Sequence, residues 1–179
     1  MIKKLPGTTI ELEVGTWSAA DEVLKSLFLS GGLMLSQVAR LSGLAPYDVQ
    51  NWVRRGFLPP PRNKLYSRRQ LSRIFIINTL RGSLQIDRIC QLLGYINGHL
   101  DDESDDSIDD TALYLYLIAL CEAAELGREP NTAELLSDYD EPYEGARERV
   151  ERVLEIMLMA YRAADLKARA EDMILDLDI

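Results

Sequence analysis

Residues 46–56 contain a cluster of side chains that can form hydrogen bonds with DNA. Gln50 and Asn51 each carry an amide that can pair with an adenine edge, and Arg54 and Arg55 can contact phosphates. Tyr47 precedes Gln50 by three residues, so a helix would expose both side chains on one side. This composition is typical of a helix that reads the major groove.

The elements that would position this cluster have the spacing of a helix-turn-helix. Pro46 suits the first position of a helix and Gly56 suits its end, which predicts a recognition helix over residues 46–55. Before it, Ser36 can cap a short helix over residues 37–41, and a glycine-containing turn joins the two. The two helices would pack on each other through Val38, Leu41, Leu44, Val49, Trp52 and Val53.

The residues after the recognition helix predict a short wing and two further helices. Three successive prolines prevent residues 57–66 from forming a helix, so we expect a wing there. Ser67 can cap a helix over residues 68–80, and a second helix over residues 85–93 would end at Gly94. The first of these helices has one apolar stripe, and the arginines predicted to stay outside it are Arg68, Arg69 and Arg73.

Charge is distributed very unevenly along the chain. The formal net charge is −9, but residues 33–99 contain ten basic and two acidic side chains, an excess of +8, so the remainder carries −17. A basic segment of this kind attracts phosphate, and the acidic remainder repels it. We therefore expect any nucleic-acid contact to lie within residues 33–99.

Composition argues against several classes of function. The chain is 47% apolar, which is enough for a folded core. It contains no apolar stretch of membrane-spanning length and no signal peptide, which favours a cytoplasmic protein. Cys90 and Cys121 lack the neighbours of a zinc site, and His99 stands alone. We therefore expect a protein that is not an enzyme, with no catalytic residue, no metal and no cofactor.

Residues 101–110 form an acidic run with two interpretations. The run lacks the central glycine and final glutamate of a calcium-binding loop. We expect a solvated linker between a DNA-binding domain at residues 33–100 and a helical region at residues 111–179. The alternative is that the run folds back on the basic segment and competes with DNA, which would make it autoinhibitory.

The flanking regions predict structure without evident chemistry. In the N-terminal region, residues 1–32, residues 9–14 suit an extended segment, and Ser18 can cap a helix over residues 19–29. Near the start of the C-terminal region, residues 112–120 are almost wholly apolar, which predicts a helix buried on most sides.

The end of the chain predicts a short helix and a long one. Asn131 or Thr132 can cap a helix over residues 133–136, and residues 140–142 suit the start of a helix that runs to about residue 170. The long helix repeats apolar side chains at Ala146, Val150, Val153, Met157, Ala160 and Ala164. This stripe suits core packing, a dimer interface or both, and a dimer would double the contacts on a palindromic site.

An ordered set of short motifs resembles the winged-helix DNA-binding domain of MerR-type regulators. The motifs are Leu35-Ser36-Gln37-Val38-Ala39, Gly43-Leu44-Ala45-Pro46, Val49-Gln50-Asn51-Trp52, Gly56-Phe57-Leu58-Pro59, Tyr66-Ser67, Leu71-Ser72-Arg73-Ile74, Leu80-Arg81 and Ile86-Asp87-Arg88-Ile89. With Ile96-Asn97-Gly98, the acidic run and Leu113-Tyr114-Leu115-Tyr116, residues 33–120 are similar to a MerR-like bacterial family catalogued as a domain of unknown function. The resemblance implies a mainly all-α fold with a short-winged helix-turn-helix and phosphate contacts by Arg54 and Lys64.

These observations predict a sequence-specific double-stranded DNA-binding transcriptional regulator. The expected DNA-binding residues are Ser36, Tyr47, Gln50, Asn51, Arg54, Arg55, Arg62, Lys64, Arg68 and Arg69. The expected partners are double-stranded DNA, a second copy of the chain and an unidentified small-molecule effector. The alternative is a protein-interaction module with a structural helix-turn-helix, and its sign would be arginines paired with the acidic half of the chain.

Overall fold

The computed structural model describes residues 1–98, 100 and 104–177, and the fold is mainly helical, as predicted. An antiparallel pair of strands, β1 (Ile2–Lys4) and β2 (Glu11–Glu13), begins the chain, with Lys3 opposite Leu12. The helices are α1 (Ala20–Leu27), α2 (Leu35–Ser42), α3 (Pro46–Arg54), α4 (Arg68–Leu80), α5 (Ile86–Asn97), α6 (Asp110–Glu125), α7 (Thr132–Leu135) and α8 (Ala146–Leu175). None of the helices in the described part of the chain has the length and hydropathy that crossing a bilayer requires.

Helix α4 lies at the centre of the molecule. It packs against α2, α5, α6 and α8. The prediction that Arg73 stays outside is wrong, because its side chain is only 4% exposed. Neighbours on several sides leave α4 almost no solvent-facing surface, so even its polar residues need partners inside the protein. The apolar side chains that it buries are Leu71, Ile74, Phe75, Ile76, Ile77 and Leu80.

The start of α4 is capped as predicted. The Ser67 hydroxyl accepts the Gln70 amide N–H at 3.2 Å, and the Gln70 side-chain oxygen accepts the Ser67 N–H at 2.8 Å. The side-chain nitrogen of Gln70 donates to the Pro59 carbonyl at 2.8 Å, so the cap also attaches the proline segment to the helix. This reciprocal pair satisfies two amide donors that the first turn of a helix leaves free.

The N-terminal segment is extended, as predicted, and it joins three helices. The Thr9 N–H donates to the Leu41 carbonyl of α2 at 2.8 Å. Asn78 of α4 donates to the Gly7 carbonyl at 2.8 Å, and the Tyr114 hydroxyl of α6 donates to the Pro6 carbonyl at 2.7 Å. Residues 1–15 are therefore attached to α2, α4 and α6 and form part of the folded body.

Two predicted N-terminal caps are wrong. A 3-10 turn at Trp17–Ala19 contains Ser18, and α1 begins after it at Ala20 without a side-chain cap. Ser36 is the second residue of α2, and the Gln37 side-chain oxygen instead accepts the Met34 N–H at 2.8 Å. An amide side chain three residues into the helix thus serves the position assigned to a serine.

Two helices exceed their predicted ends. Helix α5 continues through Gly94 to Asn97, because Leu93 and Ile96 are buried and their packing outweighs the cost of about 1 kcal/mol for a helical glycine. Helix α8 begins after Gly145, which has a left-handed φ of 86°, and not at residues 140–142; it also runs past residue 170. Asn131, one of two predicted caps of α7, accepts the Glu134 N–H at 3.1 Å.

Helices α6 and α8 complete the core around α4. The prediction of a buried helix at residues 112–120 is confirmed, since Leu113, Tyr114, Leu117 and Leu120 are buried in α6. Cys121 is also buried, and Cys90 is half-buried. The predicted apolar stripe of α8 is buried from Ala146 to Ala160, so in the structure that stripe packs in the core.

Candidate nucleic-acid interface

Helices α2 and α3 form a compact pair held by a small apolar cluster. Gly43 joins them with a left-handed φ of 72°, a conformation that suits glycine. Val38, Leu44, Val49 and Trp52 are buried, which fixes the rotation of α3 about its axis. The opposite side of α3 is left facing solvent.

The exposed side of α3 carries three of the predicted DNA-binding residues. Tyr47 is 64% exposed, and Gln50 and Arg54 are also exposed. The Arg54 guanidinium carbon lies 5.3 Å from the centre of the Tyr47 ring, an arrangement that holds the long arginine side chain near the helix surface. Asn51 is only half-buried, so it points less directly to solvent than Gln50.

The proline segment ends in a small hairpin with two basic residues. An isolated antiparallel bridge joins Arg62 and Leu65, and Asn63 and Lys64 between them have φ values of 51° and 64°. Positive φ at both central residues is characteristic of the tightest hairpin turns. Arg62 and Lys64 are exposed.

Backbone hydrogen bonds hold this hairpin next to the start of α2. The Leu33 N–H donates to the Tyr66 carbonyl at 2.9 Å, and the Tyr66 N–H donates to the Leu33 carbonyl at 2.8 Å. Ser36, which is exposed, lies three residues after Leu33. The structure therefore brings Ser36 and the hairpin cations to the same end of α2.

Arg55 turns away from the exposed side of α3. Its guanidinium lies 3.3 Å from an Asp87 oxygen and stacks over the Phe57 ring, with 4.4 Å from the guanidinium carbon to the ring centre. Both members of the ion pair remain well exposed, so water weakens the pair and Arg55 can exchange partners at little cost.

Arg68 contacts a carboxylate on the N-terminal helix. It donates a hydrogen bond to Asp21 of α1, and Lys25 lies 2.7 Å from the other oxygen of the same carboxylate. The hydrogen bond from Lys25 and that from Arg68 lower the pKa of Asp21 below its ordinary value. Arg68 therefore attaches α4 to α1.

Arg69 and Arg73 bind the end of the acidic run. Arg69 contacts Asp106 and lies 3.6 Å from Asp110. Arg73 lies 3.3 Å from Asp110 and donates to the Phe57 carbonyl at 3.0 Å. Burial raises the pKa of the Asp110 carboxyl, and the two arginines offset part of that rise.

The acidic run is therefore not a solvated linker at its described end. Asp109 caps α6 by accepting the Thr111 N–H at 2.7 Å, and Asp110 is 2% exposed. The run contacts Arg69 and Arg73 of α4, as the alternative interpretation required. Residues 101–103, and His99, lie outside the described residues.

Sequence reasoning missed the buried pair of Arg73 and Asp110. One signal was present, because Arg73 stands four residues before Ile77 and seven before Leu80 and so lies on an apolar side of α4. It also missed Arg81, whose guanidinium carbon lies 6.0 Å from the Trp52 ring centre at the edge of the α2–α3 pair.

The segment that contains these residues matches one family model. Residues 32–117 match the family model described as a domain of unknown function, DUF1836. The matched segment starts just before α2 and ends within α6, so it includes α3, the hairpin and the aspartate partners of Arg69 and Arg73. This agrees with the predicted resemblance to such a family. The chain matches no curated protein and no solved structure.

Proposed function

We propose that this protein is a sequence-specific double-stranded DNA-binding transcriptional regulator with a MerR-like winged helix-turn-helix. The observation that carries the proposal is the exposed side of α3, where Tyr47, Gln50 and Arg54 project from a helix that is fixed by buried Val49 and Trp52. A short helix anchored on one side and polar on the other fits the width of the major groove.

Base recognition is assigned to α3. The Gln50 amide can form two hydrogen bonds with an adenine, and so can the Asn51 amide. Each such pair contributes about 1–3 kcal/mol of discrimination against other bases. Asn51, being half-buried, is assigned a smaller share than Gln50.

Phosphate contacts are assigned to the cations that have no carboxylate partner. The ion pairs among the described residues include none of Arg40, Arg54, Arg62 and Lys64. Arg68 and Arg69 were also predicted to contact DNA, but each is held by aspartates of this chain. In the proposal Arg68 and Arg69 stabilise α4. The phosphate clamp consists of Arg40, Arg54, Arg62 and Lys64.

A protein-interaction module is the second candidate, and one observation favours it. Arg69 and Arg73 pair with the acidic run, which is the sign expected for that function. These pairs, however, lie at the junction of α4 and α6, and among the described residues the cations Arg54, Arg62 and Lys64 form no ion pair. The free cations favour a nucleic acid as the partner of this face.

Salt dependence tests the phosphate clamp. For the wild-type chain on a mixed-sequence duplex, the logarithm of affinity should fall linearly with the logarithm of salt concentration. The double variant Arg62→Ala, Lys64→Ala should lower that slope by about 2, because each phosphate contact contributes about 0.9. The loss of affinity should be similar for all duplex sequences, since the hairpin contacts no bases.

The matched control is the double variant Arg128→Ala, Arg152→Ala, which removes two exposed arginines of the C-terminal half. Its slope and affinity should equal those of the wild type. A wild-type chain that does not bind duplex at low salt, or a control that loses as much as the hairpin variant, would contradict the proposed clamp.

A further inference from the structure

Tyr47 is an exposed aromatic side chain on an otherwise polar helix surface. The ring and its hydroxyl are 64% exposed. The other large apolar side chains of α2 and α3, two helices that the structure describes in full, are buried or half-buried. A single exposed ring is ordinary on a protein surface. This one, however, lies on the side of α3 to which base recognition is assigned, so its chemistry bears on what α3 reads.

The backbone around Tyr47 is fixed. Pro46 occupies the first position of α3, where its ring restricts φ, and Tyr47 is the second residue of the helix. Val49, two residues later, is fully buried in the apolar cluster between α2 and α3. The Tyr47 side chain therefore leaves the body from a rigid first turn, and the first turn of a recognition helix is the part that contacts base edges.

The Tyr47 ring is also held by a neighbouring side chain. The Arg54 guanidinium carbon lies over the ring, 5.3 Å from its centre. This cation–π contact restricts the ring and covers one of its faces. The remaining face and the ring edge stay open to solvent. Because the ring is already positioned, little conformational entropy is lost when it contacts a ligand.

The spacing of Tyr47 and Gln50 matches the spacing of bases. Gln50 follows Tyr47 by three residues and is exposed on the same side of α3. Three residues of helix span about 4.5 Å along the axis, and successive base pairs lie about 3.4 Å apart. With α3 along the major groove and Gln50 on an adenine, the Tyr47 ring lies within one base pair of that adenine.

The chemistry of the ring selects among the groups in the groove. The 5-methyl group of thymine is the one methyl group that the four bases present there, and most other edge groups are hydrogen-bond donors and acceptors. Covering such a polar group with an aromatic ring costs free energy, because its hydrogen bond to water is lost. Covering a methyl group is favourable in proportion to the apolar area buried. The open part of the Tyr47 ring therefore fits thymine best.

We propose that the Tyr47 ring packs against the 5-methyl group of a thymine within one base pair of the adenine that Gln50 contacts. This inference rests on the proposed function and identifies Tyr47 as a specificity-determining residue of α3. The contact distinguishes thymine from uracil, although both bases pair with adenine through the same hydrogen bonds. The methyl group itself is then part of the recognised surface.

The Tyr47 hydroxyl offers a different contact, which the same residue could make with a phosphate. Tyrosine hydroxyls donate hydrogen bonds to phosphate oxygens, and such contacts carry no sequence information directly. The two contacts require different atoms of the side chain. Tyr47→Phe removes the hydroxyl and keeps the ring, whereas Tyr47→Ala removes both. The two variants therefore separate recognition of a methyl group from a contact with the backbone.

Replacement of single thymines by uracil tests the contact. The probe is the duplex enriched by the wild-type chain from a random library, and the adenine is located as the position at which Gln50→Ala loses its preference. At a thymine within one base pair of this adenine, uracil should raise the dissociation constant of the wild type about 3- to 5-fold, the effect of one buried methyl group. Fluorescence anisotropy with labelled duplexes measures the two constants.

Three variants complete the test. Tyr47→Ala should bind the thymine and uracil duplexes within about 1.5-fold of each other, and Tyr47→Phe should keep the wild-type ratio. The matched control Tyr95→Ala removes a tyrosine of α5 that is 46% exposed, and it should also keep the ratio. Circular dichroism checks that each variant is folded. Equal binding of uracil at every position by the wild type, an unchanged ratio in Tyr47→Ala, or a ratio lost in Tyr47→Phe would overturn the inference.

The two proposals fail separately. If the library yields no enriched duplex, the proposed DNA reading is wrong, and the methyl contact is wrong with it. If a duplex is enriched and Gln50→Ala relaxes its adenine preference, but no thymine responds to uracil, the proposed function stands and only the role of Tyr47 is wrong.

Discussion

Replacing Asp110 with alanine is expected to lower the free energy of unfolding by about 3–5 kcal/mol. Asp110 is the carboxylate partner of Arg73, and both side chains are almost completely buried. Its removal leaves the Arg73 guanidinium inside the protein with the Phe57 carbonyl as its remaining hydrogen-bond partner among the described residues. A buried charge without its partner is among the largest single-residue costs in a folded protein. Urea denaturation followed by circular dichroism measures the difference.

Two further variants separate this buried pair from ordinary ion pairs. Asp87→Ala removes the partner of Arg55. The Asp87 side chain is 70% exposed, so the change should lower the free energy of unfolding by less than about 1 kcal/mol. Adding Arg73→Met to Asp110→Ala should recover much of the lost stability, since the orphaned charge disappears. If Asp110→Ala costs no more than Asp87→Ala, the pair does not hold α4 and α6 together.

Reversing the charge of Arg54 is expected to weaken duplex binding by about 10- to 100-fold, which corresponds to a loss of about 1–3 kcal/mol. Arg54→Glu removes a donor from the centre of the exposed side of α3 and places a carboxylate against the phosphate backbone. Arg54 forms none of the ion pairs found among the described residues, so the fold should not depend on its charge. Fluorescence anisotropy with a labelled duplex gives the affinity.

Arg128→Glu is the matched control for this reversal. Arg128 is exposed and lies after α6, far along the chain from α3. The control changes net charge by the same amount and should alter affinity much less. Equal losses in the two variants would mean that binding responds to net charge alone, and α3 would then have no special role.

The sequence predicted several helix ends and caps, because these depend on residues that lie close together in the chain. Pro46 and Gly56 marked α3 because a proline fits a first turn and a left-handed glycine fits an end. Ser67 was predicted as a cap, and Asn131 was one of two alternatives with Thr132, because such side chains can satisfy amides only three residues away. The mainly helical fold followed from periodicity over longer windows.

Contacts between distant residues were not predictable in the same way. Arg73 and Asp110 are 37 residues apart, and the sequence alone predicts a solvated linker because it does not show that α6 lies beside α4. Arg68 and Arg69 had the type and spacing of phosphate contacts, yet each has an aspartate partner in the folded chain. Identifying the arginines that are available for DNA requires the tertiary structure, because a carboxylate that is distant in sequence can form an ion pair with any of them.

The two sides of α8 show a related limit. The sequence contains two apolar patterns on one helix, and the stripe through Val150 and Met157 is the stronger. Only the packing of α8 on α4 and α6 shows that this stripe is covered, whereas the Leu166 side of the helix stays exposed in the described part of the chain. Helical periodicity in the sequence identifies the apolar sides of a helix. The helices that pack against it determine which of those sides stays exposed to solvent.

Selection from a random duplex library by the wild-type chain tests DNA reading most directly. The account predicts an enriched palindrome whose half-sites each contain a contacted adenine, and loss of that enrichment in a Gln50→Ala, Arg54→Ala variant that remains folded. If no sequence enriches over the input, or the variant enriches the same palindrome, α3 is not a recognition helix and the regulatory function proposed for this chain is wrong.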